Sequence, residues 1–356
     1  MKKKYTLIFF MSICLFYLIQ GCSNKNESSI ENIGQNTQPA EEAKSNDKIL
    51  VGLSLPTLRE ERWRKDKEII ESESLKSGIE LISCVADNDS VKQEEQCLEM
   101  IAKGVSVLIL APRDADKAAN IVATAKEKGV KVISYDRLVL NADIDLYISF
   151  DNIKVGELQG KYLTKKVSKG NYIILSGAPT DNNSKMYKEG AMKFISPLVE
   201  NKQINIIEEK DIEDWKPEEA KKIVKSVLKS RKNNVDAILA PNDLTAGGCI
   251  EAIAEKKLEG KIAVTGQDAE LAAVKRIFKG TQSMTVFKDT RILASKAVEF
   301  SKKIALGEGL INLTKVNNGK KEVVSFLFEP IMVDKDNADT VLIQSGYLKK
   351  EDVYSN

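Results

Sequence analysis

The sequence contains no histidine. Histidine is the usual general base near neutral pH and the most common metal ligand, so its absence weakens an interpretation as an enzyme. Of five cysteines, only Cys84, Cys97 and Cys249 lie outside the N-terminal segment. An odd number at scattered spacing is neither a disulfide framework nor a zinc site. We favour buried free thiols, with a Cys84–Cys97 disulfide as the alternative, and expect no metal and no cofactor.

The sequence also lacks an excess of either charge. Its 54 Lys and Arg against 52 Asp and Glu give a formal charge of +2, and three of these lysines are Lys2, Lys3 and Lys4. Without those three the charge is −1, which gives no basis for nucleic-acid binding. The hydrophobic content of 42% and the charged content of 30% are typical of a soluble globular protein. A length of 356 residues suggests two domains.

The first residues have the pattern of an export signal. The three lysines are followed by an apolar run, Leu7 to Ile19, which is shorter than the about 20 residues needed to span a bilayer. The run ends at Leu18-Ile19-Gln20-Gly21-Cys22, which resembles a bacterial lipobox. We expect residues 1–21 to be a lipoprotein signal peptide and Cys22 to carry acyl chains. An ordinary signal peptide with an incidental cysteine is the alternative.

Residues 22–47 are rich in Asn, Glu, Ser and Gln and nearly free of large apolar side chains. Such a segment buries too little surface to offset the entropy of ordering, so we expect a flexible tether. The predicted protein is exported and anchored by lipid to a bacterial membrane, facing the periplasm or the cell exterior.

From Lys48 onward, short β-rich runs alternate with amphipathic helical stretches. Repeated β-α-β units predict parallel sheets with helices on both faces. The alternation restarts after the run Leu146–Phe150, so we predict an α/β fold with two Rossmann-like lobes, each containing a mostly parallel, doubly wound sheet. The helices predicted by this pattern include Arg59–Ser77, Ala115–Lys128, Val155–Val167 and Pro217–Ser230.

Polar side chains recur where the predicted strands end. The strand Val130–Tyr135 is followed by Asp136-Arg137, and similar clusters follow later strands: Asp181-Asn182-Asn183, Asn242-Asp243, Gln267-Asp268 and Lys288-Asp289. The carboxyl ends of the strands border the ligand crevice in open α/β sheets. Planar carboxylate, amide and guanidinium groups can each meet two neighbouring hydroxyls of a sugar. These clusters together therefore predict a site for a polyhydroxylated ligand.

Both tryptophans occur in polar surroundings, Glu61-Arg62-Trp63-Arg64 and Glu213-Asp214-Trp215-Lys216. We interpret them as plates that stack on the C–H face of a sugar ring, with a place in the core as the alternative. Asp and Asn at the start of a helix are often simple N-caps. Taken singly, Asp116, Asp243 and Asp289 are interpreted as caps.

Several long segments resemble the D-xylose-binding proteins of bacterial ABC transporters, and the resemblance runs from about Lys48 to the C-terminus. The segments include Leu58-Arg59-Glu60-Glu61-Arg62-Trp63, Tyr135-Asp136-Arg137, Pro179-Thr180-Asp181-Asn182-Asn183, Asn242-Asp243-Leu244-Thr245-Ala246-Gly247-Gly248 and Gly266-Gln267-Asp268-Ala269. The resemblance implies a type I periplasmic binding protein, in which two lobes joined by three crossovers close on one sugar and dock on an ABC permease. It also implies a binding protein, with no enzymatic activity and no nucleic-acid partner, and we expect a monomer.

The resemblance carries sugar contacts over to matching positions in both lobes. They are Arg62, Trp63, Asp136, Arg137, Asp181, Asn183, Trp215, Asn242, Asp268 and Lys288, with Trp63 and Trp215 as the stacking plates. The first strand departs from the family pattern, because Pro56 and Thr57 stand where acidic residues are usual. We therefore assign no sugar contact to either residue.

The lobes are predicted at residues 48–152 plus about 289–322, and at residues 153–288 plus about 323–356. The hinges are then expected near Asn152, at Phe287–Asp289 and in the region Lys320–Val324. A sugar that contacts both lobes has a higher affinity for the closed state than for the open state. We therefore expect sugar binding to close the lobes, because a ligand shifts the population of a state only through such a difference in affinity.

Other functions compete with transport. A glycosidase could use two acids such as Asp136 and Asp268, but Arg137 and Lys288 beside them should lower their pKa values, whereas a general acid needs a raised pKa. The ligand domain of a transcriptional regulator shares the fold, but the sequence has an export signal and no helix-turn-helix segment. A sugar sensor or chemoreceptor would use the same lobes and remains an alternative.

Overall fold

The computed structural model describes residues 48–355. The predicted signal peptide, Cys22 and the predicted tether lie outside the described residues. The strands in chain order are β1 (Leu50–Leu55), β2 (Glu80–Val85), β3 (Val107–Leu110), β4 (Lys131–Tyr135), β5 (Leu146–Phe150), β6 (Gly170–Ser176), β7 (Ile204–Asp211), β8 (Ala237–Leu239), β9 (Ala263–Val264), β10 (Thr285–Phe287), β11 (Thr314–Asn317), β12 (Glu322–Phe328) and β13 (Ile331–Val333).

The α-helices alternate with these strands through most of the chain. They are α1 (Glu61–Lys76), α2 (Ser90–Ala102), α3 (Ala119–Glu127), α4 (Asn152–Lys166), α5 (Asn182–Glu200), α6 (Pro217–Ser230), α7 (Asp243–Ala254), α8 (Leu271–Lys279), α9 (Thr290–Ala305) and α10 (Lys350–Tyr354). A 3₁₀ turn at Glu213–Trp215 and a π-helical turn at Asp339–Ile343 complete the helical segments.

The first lobe contains a seven-stranded sheet in the order β11-β12-β5-β4-β3-β1-β2. All of its pairs are parallel except β11 with β12. The central strands are buried on both faces, because α1 and α9 pack on one face of the sheet and α2 and α3 on the other. This is the doubly wound arrangement, which leaves the carboxyl ends of the strands free for a site.

The second lobe contains a parallel sheet in the order β7-β6-β8-β9, with α4 and α5 on one face and α6 and α7 on the other. Backbone hydrogen bonds from Ser283 to Val264 and from Val286 to Gly266 continue this sheet towards β10, which pairs antiparallel with β13. The predicted fold of two lobes with mostly parallel sheets is therefore confirmed.

The chain passes between the lobes three times, between β5 and α4, between β10 and α9, and between β12 and β13. The predicted third boundary near residue 322 is wrong. β12 pairs in parallel with β5, with Ser325 opposite Tyr147, so it belongs to the first lobe and the chain crosses after Phe328. The error arises because the partner of a strand is chosen by tertiary pairing, which the local pattern does not encode.

Smaller differences concern the ends of helices. The predicted helix Pro217–Ser230 and strand Leu146–Phe150 are found with those bounds. Helix α3 begins at Ala119 instead of Ala115, because residues 115–118 form a turn that is held to the second lobe by the Ala115 N–H, which donates to the Thr180 carbonyl at 2.9 Å. Helix α4 begins three residues earlier than predicted, at Asn152, where the Asp151 side chain accepts from the Lys154 N–H.

Candidate ligand site between the lobes

All ten residues predicted as sugar contacts line one cavity between the lobes. Arg62 and Trp63 come from the first turn of α1, and Asp136 and Arg137 follow β4. The second lobe and the crossover into α9 supply the others: Asp181, Asn183, Trp215, Asn242, Asp268 and Lys288. Three further lining residues, Glu60, Tyr187 and Gln267, were not predicted.

In the first lobe, a buried ionic network holds the site residues. Arg62 donates to Asp136 Oδ2 at 2.7 Å through Nη1, and to Asp66 Oδ2 at 2.8 Å through Nη2. The Tyr135 hydroxyl donates to the other oxygen of Asp66 at 2.7 Å. Asp136 has φ 59°, a left-handed conformation that Asp tolerates better than most residues. The guanidinium of Arg62 is therefore fixed before any ligand arrives.

Trp63 lies against this network and is 2% exposed. The guanidinium carbons of Arg62 and Arg137 lie 4.3 Å and 5.3 Å from its ring centroid, within cation–π range. Trp63 also packs in the hydrophobic cluster under α1 and α9. Trp63 is therefore both a core residue and part of the cavity wall, the two interpretations that its sequence surroundings left open.

In the second lobe, helix caps hold two of the site residues. The Asp181 side chain accepts from the Asn183 N–H at 3.0 Å at the start of α5. Asn242 accepts from the Thr245 N–H at 3.0 Å and forms a capping box with Thr245 at the start of α7. Both residues are therefore N-caps and cavity residues at once.

The remaining second-lobe residues depend on unusual backbone. Asp268 has φ 99° and Trp215 has φ 57°. The Trp215 ring lies directly on Gly177, where an added Cβ would be 2.1 Å from Cη2, so only glycine leaves room for the indole. The ring of Tyr187 meets Trp215 edge-on, with ring centroids 6.5 Å apart.

Of the three residues interpreted singly as caps, only Asp289 caps a helix, by accepting from the Arg291 N–H at 3.0 Å. Asp116 instead accepts from the Asn141 amide at 2.9 Å.

Asp243 is fully buried at the first position of α7. Its carboxylate accepts hydrogen bonds from three groups around the loop that carries Asp268. They are Gln282 Nε2 at 2.7 Å, Thr285 Oγ1 at 2.8 Å and the Glu270 N–H at 3.0 Å. Its role is to position that loop.

Direct contacts join the lobes across the cavity, so the structure is the closed state. Arg137 Nε lies 2.8 Å from Asp181 Oδ2. The Asn183 amide donates to the Asp136 carbonyl at 3.2 Å. These bonds need both lobes in place and therefore favour closure.

The rim of the cavity carries a second set of bonds between the lobes. Arg113 donates to Thr180 Oγ1 at 2.7 Å and forms an ion pair with Asp214. Arg59 donates to the Asp214 carbonyl. The turn that presents Trp215 is thus held by two arginines of the first lobe.

The starts of α1 and α8 cap each other at the same rim. The Glu61 N–H donates to Glu270 Oε1 at 3.2 Å, and the Leu271 N–H donates to Glu61 Oε2 at 3.2 Å. The first N–H groups of a helix have no partner inside it. Each helix therefore satisfies one of these groups with a carboxylate from the other lobe.

The charges of the cavity balance one another once Arg59, which pairs with Glu60 from outside the lining, is included. The lining itself carries three cations and four carboxylates: Arg62, Arg137 and Lys288, with Glu60, Asp136, Asp181 and Asp268. Lys288 Nζ lies 3.1 Å from Asp268 Oδ1 and 3.2 Å from the Tyr187 hydroxyl. A cavity with paired charges suits a neutral ligand that offers many hydroxyls better than it suits an anion.

The pKa values of the carboxylates depend on these pairs. Burial raises the pKa of Asp136, but Arg62, Lys288 and Arg137 outweigh it, so the pKa lies below its usual value. Burial raises the pKa of Asp181 although Arg137 opposes it. The lowered pKa of Asp136 agrees with the sequence argument against a general acid at that position.

The sequence carried a signal for two of the three missed residues. Glu60 and Gln267 stand next to predicted contacts in the motifs Glu60-Glu61-Arg62-Trp63 and Gly266-Gln267-Asp268. Tyr187 has no such signal, because it lies inside α5. Its position depends on close packing of α4 on α5, where a Cβ at Gly156 would be 1.9 Å from the Tyr187 carbonyl oxygen.

Within residues 48–355, no group of three or more acidic, cysteine or histidine side chains is arranged to hold a metal ion. None of the described helices is long and apolar enough to cross a bilayer. The cysteines in this range are free thiols, with Cys97 and Cys249 buried and Cys84 partly buried.

Comparison with known proteins places these features in a family. A model described as "Periplasmic binding protein domain" matches residues 51–309. The D-xylose-binding periplasmic protein of Haemophilus influenzae is 41% identical over 306 residues, covering 86% of this chain and 92% of the relative. The Escherichia coli protein of the same description is 41% identical over 305 residues, with the same coverage.

Solved structures give the same result. An ABC transporter solute-binding protein of Clostridium phytofermentans with bound β-D-glucose is 33% identical, with a TM-score of 0.79, covering 85% of this chain and 99% of that one. A carbohydrate transporter solute-binding protein of Chloroflexus aurantiacus in complex with D-glucose is 34% identical, with a TM-score of 0.80, covering 85% and 97%.

Proposed function

The chain belongs to the periplasmic binding protein family, and on this premise we propose that it binds D-xylose, or a closely related pyranose, for delivery to a membrane permease. It is a sugar-binding component of an ABC transporter and not an enzyme, as its relatives are solute-binding proteins. The observation that carries the choice of ligand is the set of ten polar and aromatic residues that meet at one cavity in a chain 41% identical to two D-xylose-binding proteins.

The chemistry of the cavity supports a single polyhydroxylated ring as the ligand. The balanced charges favour a neutral ligand, and charged groups make the stronger hydrogen bonds to hydroxyls, about 1.5–3 kcal/mol each. Trp63 and Trp215 come from different lobes, so a ring between them would contact both.

Closure supplies the mechanism of binding. Arg62 and Asp136 would hold the sugar on the first lobe, while Asn242 and Asp268 would complete its shell only after the lobes meet. The ion pair between Arg137 and Asp181 adds to the closed state. A sugar that contacts both lobes binds the closed state more tightly and so raises its population. The closed form is then the one that a permease would recognise.

Membrane attachment is a further part of the proposal. The relatives are periplasmic proteins, in agreement with an exported protein. The lipobox-like Leu18–Cys22 supports acylation at Cys22. Mass spectrometry of the protein isolated from membranes should find a diacylglyceryl modification on Cys22, and Cys22→Ser should release the protein into the soluble fraction. An unmodified Cys22 would contradict the anchor and leave sugar binding unaffected.

The binding proposal is tested by titrating residues 48–356 with xylose, ribose, glucose, galactose and arabinose. Trp63 and Trp215 are the only tryptophans, so their fluorescence should change saturably with one or two pyranoses. Calorimetry on the same samples provides the dissociation constant. We expect xylose to saturate at micromolar concentration and ribose not to do so. Silence of both measurements with every sugar would contradict the proposal.

A further inference from the structure

Glu60 is an acidic residue of the cavity wall that the family resemblance did not assign. It is 4% exposed and directly precedes α1. It stands in the N-cap position, yet its side chain makes no capping hydrogen bond. Glu60 and Asp136 are the two carboxylates that the first lobe contributes to the cavity wall.

The two oxygens of this carboxylate have different surroundings. Oε1 accepts from Arg59 Nη2 at 2.6 Å and from Arg59 Nε at 3.2 Å. Oε2 is buried and, among the described residues, has no hydrogen-bond partner. Buried polar atoms in folded proteins nearly always have a partner, and each exception needs an explanation. Because Oε1 accepts from the Arg59 guanidinium, the Glu60 carboxylate acts as a hydrogen-bond acceptor here. The partner that suits Oε2 is therefore a hydrogen-bond donor.

We propose that Glu60 is a specificity-determining residue, whose Oε2 accepts a hydrogen bond from one hydroxyl of the bound sugar. This inference rests on the proposed function. An ionised carboxylate only accepts, so this part of the cavity selects ligands that carry a donor at the matching ring position. An analogue that lacks the hydroxyl leaves a buried charge without its bond and should bind about tenfold to a hundredfold less tightly.

A purely structural role for Glu60 is the competing explanation. Arg59 bridges Glu60 and the Asp214 carbonyl of the second lobe, so loss of the carboxylate could weaken closure without any contact to the sugar. The two roles differ in their dependence on the ligand. Weaker closure reduces the affinity for all sugars by the same factor, whereas a lost hydrogen bond matters only for sugars that carry the hydroxyl.

The test is a double-mutant cycle between protein and ligand, performed by calorimetry on the full-length protein in detergent. The variant is Glu60→Gln, which keeps the size of the side chain and removes its charge. The ligands are the tightest-binding pyranose and its monodeoxy analogues, one for each ring position. Glu68→Gln is the control, because Glu68 lies exposed on the same helix.

We expect Glu60→Gln to weaken binding of the parent pyranose about tenfold, and to leave the affinity for one deoxy analogue unchanged. An equal loss for the parent and every analogue, or no loss at all, would overturn the proposal. Thermal unfolding of both variants confirms that they are folded. If the wild-type protein binds no sugar, the proposed function itself fails, and this result is distinct from a wild-type protein that binds sugar with no dependence on Glu60.

Discussion

The two halves of the cavity are held in place by different means. In the first lobe, side chains fix one another: Arg62 bridges Asp66 and Asp136 in a buried network that needs nothing from the second lobe. In the second lobe, the backbone fixes them: Asp181 and Asn242 cap helices, and Trp215 has a left-handed conformation. Substitutions in the first half should therefore affect stability and binding together, whereas those in the second half should affect binding more than stability.

The largest effect is expected from Asp136→Asn. It removes one partner of the buried Arg62 and should cost about 3 kcal/mol of the free energy of unfolding. Sugar affinity should fall about a hundredfold, since Arg62 and Asn183 also lose the charge that orients them. Urea unfolding and calorimetry measure the two effects.

The matched substitution in the second lobe is Asn242→Ala. It should cost only about 1 kcal/mol of stability, the usual value of an N-cap, while it weakens binding strongly. If Asn242→Ala destabilises the protein as much as Asp136→Asn, the contrast between the two halves is wrong.

Gly177→Ala tests whether the backbone holds Trp215 in place in the second lobe, and the substitution changes no polar group. The new methyl would lie 2.1 Å from the Trp215 ring, so the indole must move and sugar affinity should fall about tenfold. Tryptophan fluorescence of the free protein should change as well. At Gly309 no atom lies within 4 Å of a built Cβ, so Gly309→Ala is the control and should bind normally. Equal behaviour of the two variants would show that Trp215 is not confined by Gly177.

Arg113→Ala should have a smaller effect, because Arg113 contacts the second lobe at the rim and does not line the cavity. Partly exposed ion pairs contribute about 0.2–1 kcal/mol, so affinity should fall about two- to fivefold through a smaller closed population. Small-angle scattering of the free protein should show a larger radius of gyration. Lys126→Ala removes ion pairs within the first lobe only and should change neither quantity.

The last prediction concerns the pH dependence of stability. Burial, with Asp243 and Asp268 adding to it, raises the pKa of Glu270 to about 8 from its ordinary value of 4.5. The folded protein then holds more protons than the unfolded chain between these values, so stability should fall as the pH rises from about 4.5 to about 8.

Glu270→Gln should remove part of that slope in unfolding experiments at several pH values. Other buried acids keep the rest, because burial raises the pKa of Asp243 to about 7 and also raises the pKa values of Asp66 and Asp181. Glu68→Gln, on an exposed part of α1, should leave the slope unchanged. A slope that is the same with and without Glu270 would mean that this carboxyl is charged throughout the range.

Sequence patterns were sufficient for most of the fold, for reasons visible in particular elements. Gly78, Gly104 and Gly129 have φ between 71° and 82° just after α1, α2 and α3, the left-handed conformation in which glycine commonly ends a helix. Strand β11 has no strand signal in the sequence, because Thr314–Asn317 is a short, largely exposed edge strand without an apolar pattern. The strand β12 was assigned to the wrong lobe because its partner, β5, lies far away in sequence.

The residues of the candidate site also divide into those that the sequence pattern could predict and those that it could not. Residues at strand ends and helix starts were predictable, because the topology of a parallel sheet brings those positions to one edge whatever the detailed packing. Tyr187 reaches the cavity from the interior of a helix, and the direction of its side chain depends on how closely α5 approaches α4 at Gly156 and Gly190.

By itself, the sequence determined the alternation of elements and the polar residues offered at the cleft, since both follow from local periodicity and turn chemistry. Only the tertiary structure decided which carboxylates are paired and which are left with a free oxygen. Arg137 pairs with Asp181 across the lobes, whereas Glu60 keeps Oε2 unpartnered among the described residues. Pairing depends on distances between segments far apart in the chain, and closure of the two lobes sets those distances.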